Sequence, residues 1–90
     1  MNPNDEILKK FSPDLFETLQ NARLDILAFE CIQQMEDFHG HFLNQLFKTW
    51  RLADPQNRME LKTVMYRMLE KYPELIVMAN NKMSEEYSHV

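Results

Sequence analysis

The chain contains a single glycine, Gly40, among its 90 residues, and this scarcity limits what it can fold into. One glycine in 90 residues is far below ordinary usage, and a glycine-rich phosphate-binding loop could hardly be built from it. No segment shows the alternation of apolar and polar residues that is typical of a strand. Both features favour helices joined by short connections, and we predict an all-α protein that forms one helical domain over residues 1–90.

The prolines mark where the predicted helices begin. A proline fits the first position of a helix because its missing N–H would have no partner there, and a serine or aspartate before it can cap the helix. Ser12 precedes Pro13, and Asp54 precedes Pro55. A further helix follows Pro73. The prediction is a short N-terminal helix followed by helices over about 13–52, 55–71 and 74–87.

The first of these long helices is predicted to run through Gly40 because the apolar pattern keeps its phase there. Apolar or small residues recur in steps of three and four at Leu24, Leu27, Cys31, Met35, Phe38, Phe42, Leu46 and Thr49. Such steps are typical of one helix face. One helical glycine costs only about 1 kcal/mol relative to alanine. We therefore favour one long helix, with a break at Gly40 as the alternative.

These helices offer more apolar surface than a two-helix hairpin buries, since such a hairpin needs a stripe only about 100° wide. A chain of this size buries only about 60% of the surface of its unfolded form. Two hairpins that pack together as a four-helix bundle would cover the additional rows. The sequence therefore predicts a long helical hairpin that forms a homodimer.

Large side chains on these wide apolar faces are the candidate partner-binding residues. Aromatic residues often anchor interfaces, and methionine-rich surfaces adapt to different partners. The predicted set is Phe29, Phe47, Trp50, Val64, Met65, Met68 and Tyr72. The alternative is that methionines and Trp50 fill the chain's own core.

A Glu-x-x-His pair suggests a second hypothesis. Glu36 and His39 lie three residues apart and would share one helix face, which is the spacing of ligands in di-metal helical bundles. His41 would point away from His39, so these two histidines would not share a metal. This reading implies a metal-binding or redox bundle with Fe, Mn or Zn, although a complete site needs further carboxylates. The structural alternative places the pair at the solvent edge or at a helix end, with no cofactor.

Charge and motifs exclude several other classes. The net charge is −4, and no basic run is longer than Lys9 and Lys10, so nucleic acid is not an expected partner. No run approaches the roughly 18 apolar residues of a membrane span, and the first residues carry charges where a signal peptide needs an apolar core. We expect a cytoplasmic protein that has no membrane partner. Its single cysteine, Cys31, forms no internal disulfide.

Enzyme chemistry has little support in the sequence. Cys31 lies in an apolar row, where burial disfavours the reactive thiolate. The chain has no glycine-rich phosphate loop and no Ser-His-Asp or Cys-x-x-Cys arrangement. The function favoured by the sequence is therefore a small protein–protein interaction module, such as an adaptor, chaperone or regulator, that holds a helix of another protein.

Overall fold

The computed structural model describes the backbone over residues 3–34 and 41–88, and side chains over 4–30 and 41–85. Its helices are α1 (Pro3–Phe11), α2 (Pro13–Gln34), α3 (His41–Leu52), α4 (Pro55–Lys71) and α5 (Pro73–Ser88). The predicted all-α class and the short N-terminal helix are confirmed. None of the described helices combines the length and apolar character that a membrane crossing requires.

Helix starts follow the proline positions. The helices α1, α2, α4 and α5 each begin at a proline. At α4, the Asp54 carboxylate accepts a hydrogen bond of 2.8 Å from the backbone N–H of Asn57, and Pro55 occupies the first helical turn. This is the predicted N-cap, which satisfies one of the free N–H groups at the helix start.

The single long helix predicted over 13–52 is wrong. Instead, α2 ends at Gln34, α3 begins at His41, and the two helices pack against each other. The indole N–H of Trp50 donates to the Asp25 carboxylate at 2.9 Å. In one continuous helix these residues would lie about 38 Å apart. The alternative of a break at Gly40 agrees with the separate helices, although Gly40 itself lies outside the described residues.

The misleading feature was the apolar phase shared by the two segments. Helices that pack against the same core both carry apolar residues in steps of three and four. A common phase across a short connection therefore does not require a continuous helix.

Helix α2 lies at the centre of the fold. It contacts α1, α3 and α5, while α4 packs mainly on α3 and α5. The buried apolar residues of these helices form one cluster: Leu24, Leu27, Ala28, Leu43, Phe47, Trp50, Met65, Leu69, Leu75, Ile76 and Ala79. One copy of the chain thus forms a core of its own, built from the four longer helices.

A buried ionic network joins α1, α2 and α5. The Arg23 guanidinium donates two hydrogen bonds to the Asp5 carboxylate, at 3.0 and 3.1 Å. It also donates to the side-chain oxygens of Gln20, at 2.7 Å, and of Asn80, at 3.1 Å. Arg23 and Asp5 are only 2% and 4% exposed. Four of the five N–H groups of the guanidinium are therefore used by residues on three helices.

This network supplies partners for charges that would otherwise be costly to bury. An isolated ion pays a large desolvation penalty in a protein interior, and only a partner with good geometry offsets it. The bidentate contact between Arg23 and Asp5 has that geometry. It also fixes where α1 lies on α2, because a planar guanidinium accepts a carboxylate in few orientations.

We expect Asp5→Ala to lower the free energy of unfolding by roughly 3–5 kcal/mol, because it leaves the buried Arg23 charge without its carboxylate. Denaturant unfolding of the wild-type and variant chains measures the difference. Glu70→Gln is the matched control, because it removes only the exposed ion pair between Lys9 and Glu70, 3.6 Å apart. That change should cost less than about 1 kcal/mol.

The double variant Asp5→Ala/Arg23→Met tests whether the loss comes from the unpaired charge. Methionine has a similar length and carries no charge, so the double variant should be more stable than Asp5→Ala alone. Additive losses from the two changes would contradict this explanation.

Candidate protein-interaction surface

The seven residues predicted to bind a partner occupy different environments. Phe47, Trp50 and Met65 are buried in the core of the single chain. Met68 and Tyr72 are half-buried against that core, and Phe29 and Val64 are exposed. Packing within one copy already explains the burial of the first three, so the surface described below does not include them.

Every helix also leaves large apolar side chains at the surface. The exposed ones are Ile7, Phe11, Leu15, Phe29, Phe42, Leu52, Met59, Val64 and Val77. Single apolar residues at a surface are normal in soluble proteins. They indicate a binding site only where several of them border one concave feature.

A concave feature bordered by one of these residues, Leu52, lies where α3 leads into α4. A groove of about 460 Å³ is lined on one side by Thr49, Leu52 and Ala53, and on the other by Asn57, Glu60 and Leu61. Leu52 is 85% exposed at its rim. The groove lining is therefore mainly apolar, with one carboxylate.

The helical repeat extends these two walls along both helices. Phe42 and Leu46 share the face of α3 that carries Thr49, because residues three and four apart lie on one side of a helix. Phe42 is 64% exposed and Leu46 packs partly against the core.

On α4, Val64 and Met68 continue the row of Leu61 for the same reason. Val64 is 42% exposed. We call the surface formed by these two rows the α3–α4 groove. Two helices that present apolar rows beside a groove form a shape suited to another helix.

The opposite side of α4 faces α2 across a cleft of about 280 Å³, which charged residues of both helices border. Three polar residues of α2 and three of α4 follow one another at intervals of four, so each set lines one helix face. They pair across the cleft as Glu17 with Lys62 at 2.9 Å, Asn21 with Tyr66 at 2.6 Å, and Asp25 with Arg58 at 3.3 Å. These pairs hold α4 against α2.

Arg58 also closes the end of α3. Its guanidinium donates to the backbone oxygens of Trp50 at 2.9 Å and Arg51 at 3.4 Å. It lies 4.9 Å from the centre of the Trp50 ring, at the range of a cation–π contact. The last carbonyls of a helix lack internal partners, so this arginine acts as a C-terminal cap. The charges of the cleft are thus engaged in helix packing.

Tyr66 has an altered acidity in this cleft. Burial raises the pKa of its phenol from 10.0 to about 12, and the nearby Glu17 carboxylate contributes to the same increase. Both causes disfavour the phenolate, burial by desolvation and Glu17 by charge repulsion.

The predicted metal ligands Glu36 and His39 lie outside the described residues, as does the side chain of Cys31. A second Glu-x-x-His, formed by Glu86 and His89, occurs near the C-terminus, and its side chains also lie outside the described part. Within the described ranges, no three His, Cys, Asp or Glu residues are grouped to hold a metal ion. The metal hypothesis stays a prediction.

We predict that Tyr66 titrates near pH 12 in the folded chain and near pH 10 when the chain is unfolded. Because the pKa is higher in the folded state, the stability contributed by the neutral phenol is fully present below about pH 10 and is lost as the pH rises towards 12. Ultraviolet absorbance measures the phenolate during an alkaline titration.

Tyr66→Phe should remove the most alkaline titration step and leave the others in place. A titration in denaturant is the control, because all tyrosines should then titrate together near pH 10. Persistence of the most alkaline step in the folded Tyr66→Phe variant would contradict the assignment.

Comparison of the chain with protein-family models, with curated proteins and with solved structures finds no match.

Proposed function

We propose that the protein is a small, non-enzymatic protein–protein interaction module that self-associates through apolar helix faces. Its action is to hold a helix, as an adaptor, chaperone or regulator does. The observation that carries this proposal is the α3–α4 groove, which exposed Leu52 borders, together with exposed Phe42 and Val64 further along the same two helices.

The state of the core supports this reading. Four helices already enclose a core in which Leu24, Phe47 and Met65 have no solvent exposure. The exposed residues of the α3–α4 groove, Phe42, Leu52 and Val64, are therefore additional to the core of one copy. A partner that removes such exposed apolar area from water gains about 25 cal/mol of association free energy per Å².

We expect the purified chain to show concentration-dependent self-association in sedimentation velocity experiments. The weight-average mass should rise above the 10.9 kDa of one chain as the concentration increases. A constant mass of one chain at all accessible concentrations would contradict the proposal. Circular dichroism of the same samples establishes that the chain is folded and helical.

A further inference from the structure

We infer that a second copy of this chain covers the α4 wall of the α3–α4 groove, with the two α4 helices antiparallel and a twofold axis beside Val64. This inference rests on the proposed function, because it names the surface and the partner of the self-association. The arrangement of residues around Val64 supports it.

The residues on this side of α4 are symmetric about Val64. In an antiparallel pair centred there, a residue three or four positions before Val64 lies beside one three or four positions after it in the second copy. Glu60 then meets Arg67, and Leu61 meets Met68. Each pair matches to within about 1.5 Å along the helix axis, the rise of one residue.

The ionic pair and the apolar pair lie on opposite sides of Val64, as a twofold axis requires. With an advance of about 100° per residue, Glu60 and Arg67 lie roughly 40–60° to one side of Val64, and Leu61 and Met68 lie equally far to the other side. A twofold axis perpendicular to both helices keeps each side facing the same side of the second copy. The acid therefore faces the base, and the apolar residues face each other.

Burial agrees with this division. Leu61 and Met68 are half-buried against the core of their own copy, while Glu60 and Arg67 are exposed. Neither Glu60 nor Arg67 forms an ion pair with a residue that the structure describes. Both charges are thus available for a partner, and the expected interface has an apolar centre with an ionic rim.

Charge complementarity favours a second copy over an unrelated helix. The twofold arrangement generates two equivalent Glu60–Arg67 pairs from one chain sequence, as an isologous interface requires. The groove beside Leu52 and Ala53 lies at the N-terminal end of α4, next to Asn57 and Leu61. The C-terminal part of the second copy's α4 would lie along this end, because the helices are antiparallel.

A charge exchange tests the register of the pair. Glu60→Lys alone should weaken self-association about tenfold, because it places a lysine beside Arg67 of the second copy at both symmetric positions. The double variant Glu60→Lys/Arg67→Glu should restore the dissociation constant to within about threefold of the wild-type value. Failure of the double variant to recover any affinity would overturn the inferred register.

Val64→Arg tests the centre of the interface. It places two arginines against each other at the axis and should raise the dissociation constant at least about tenfold. Val77→Arg is the matched control, since Val77 is exposed on α5, outside the α3–α4 groove. Circular dichroism and thermal unfolding of each variant show whether it keeps the fold.

The outcomes separate this inference from the proposed function. A wild-type chain that stays monomeric would overturn both. If Val64→Arg self-associates with the same dissociation constant as the wild-type chain, the inferred surface is overturned and self-association stays in place. The same holds if only Val77→Arg weakens self-association.

Cross-linking gives a readout that does not depend on affinity. With an added thiol oxidant to accept two electrons and two protons, Val64→Cys in a Cys31→Ala background should form a disulfide between copies, because the two residues at the axis face each other. Val77→Cys in the same background should not do so at the same rate. Equal rates for the two positions would argue against the twofold axis at Val64.

Discussion

The arrangement of the N-terminal and C-terminal helices depends on one buried guanidinium. Arg23 connects α2 to Asp5 of α1 and Asn80 of α5, and it does so from within a region that excludes water. Apolar packing alone would allow these helices to slide or rotate at small cost, whereas a two-pronged ionic contact accepts few orientations. Because the charge is costly to leave unpaired, structures that misplace α1 are disfavoured. The interaction therefore specifies the arrangement more than it adds to stability.

Helix α2 uses polar residues on two of its faces and apolar residues between them. One face carries Gln20 and Arg23 towards α1 and α5, and another carries Glu17, Asn21 and Asp25 towards α4. Polar pairs at fixed intervals determine the register of a helix against its neighbour. The α3–α4 groove has mainly apolar walls. The polar faces of α2 are already paired with neighbouring helices, whereas the apolar walls of the groove are open to a partner, so the groove is the surface that we assign to association.

The sequence predicted the elements that depend on local chemistry. The proline starts and the Asp54 cap are set by neighbouring residues, and both were found where expected. The continuous helix over 13–52 failed because periodicity reports which face is apolar and does not reveal whether two segments pack on each other. This error also made Phe47 and Trp50 seem available to a partner, since α2 and α3 cover each other. A signal for Arg23 was present: with Phe16, Gln20 and Leu27 it forms one row in steps of three and four, which placed two polar residues on a buried face.

The connection between α4 and α5 is a single residue, Tyr72, whose N–H is bonded to the Met68 oxygen at 2.9 Å. A connection of one residue leaves α4 and α5 little freedom to change their relative orientation. Asn80 on α5 is in turn bonded to Arg23, so a continuous series of contacts leads from α4 through Tyr72 and α5 to the buried ion pair and α1.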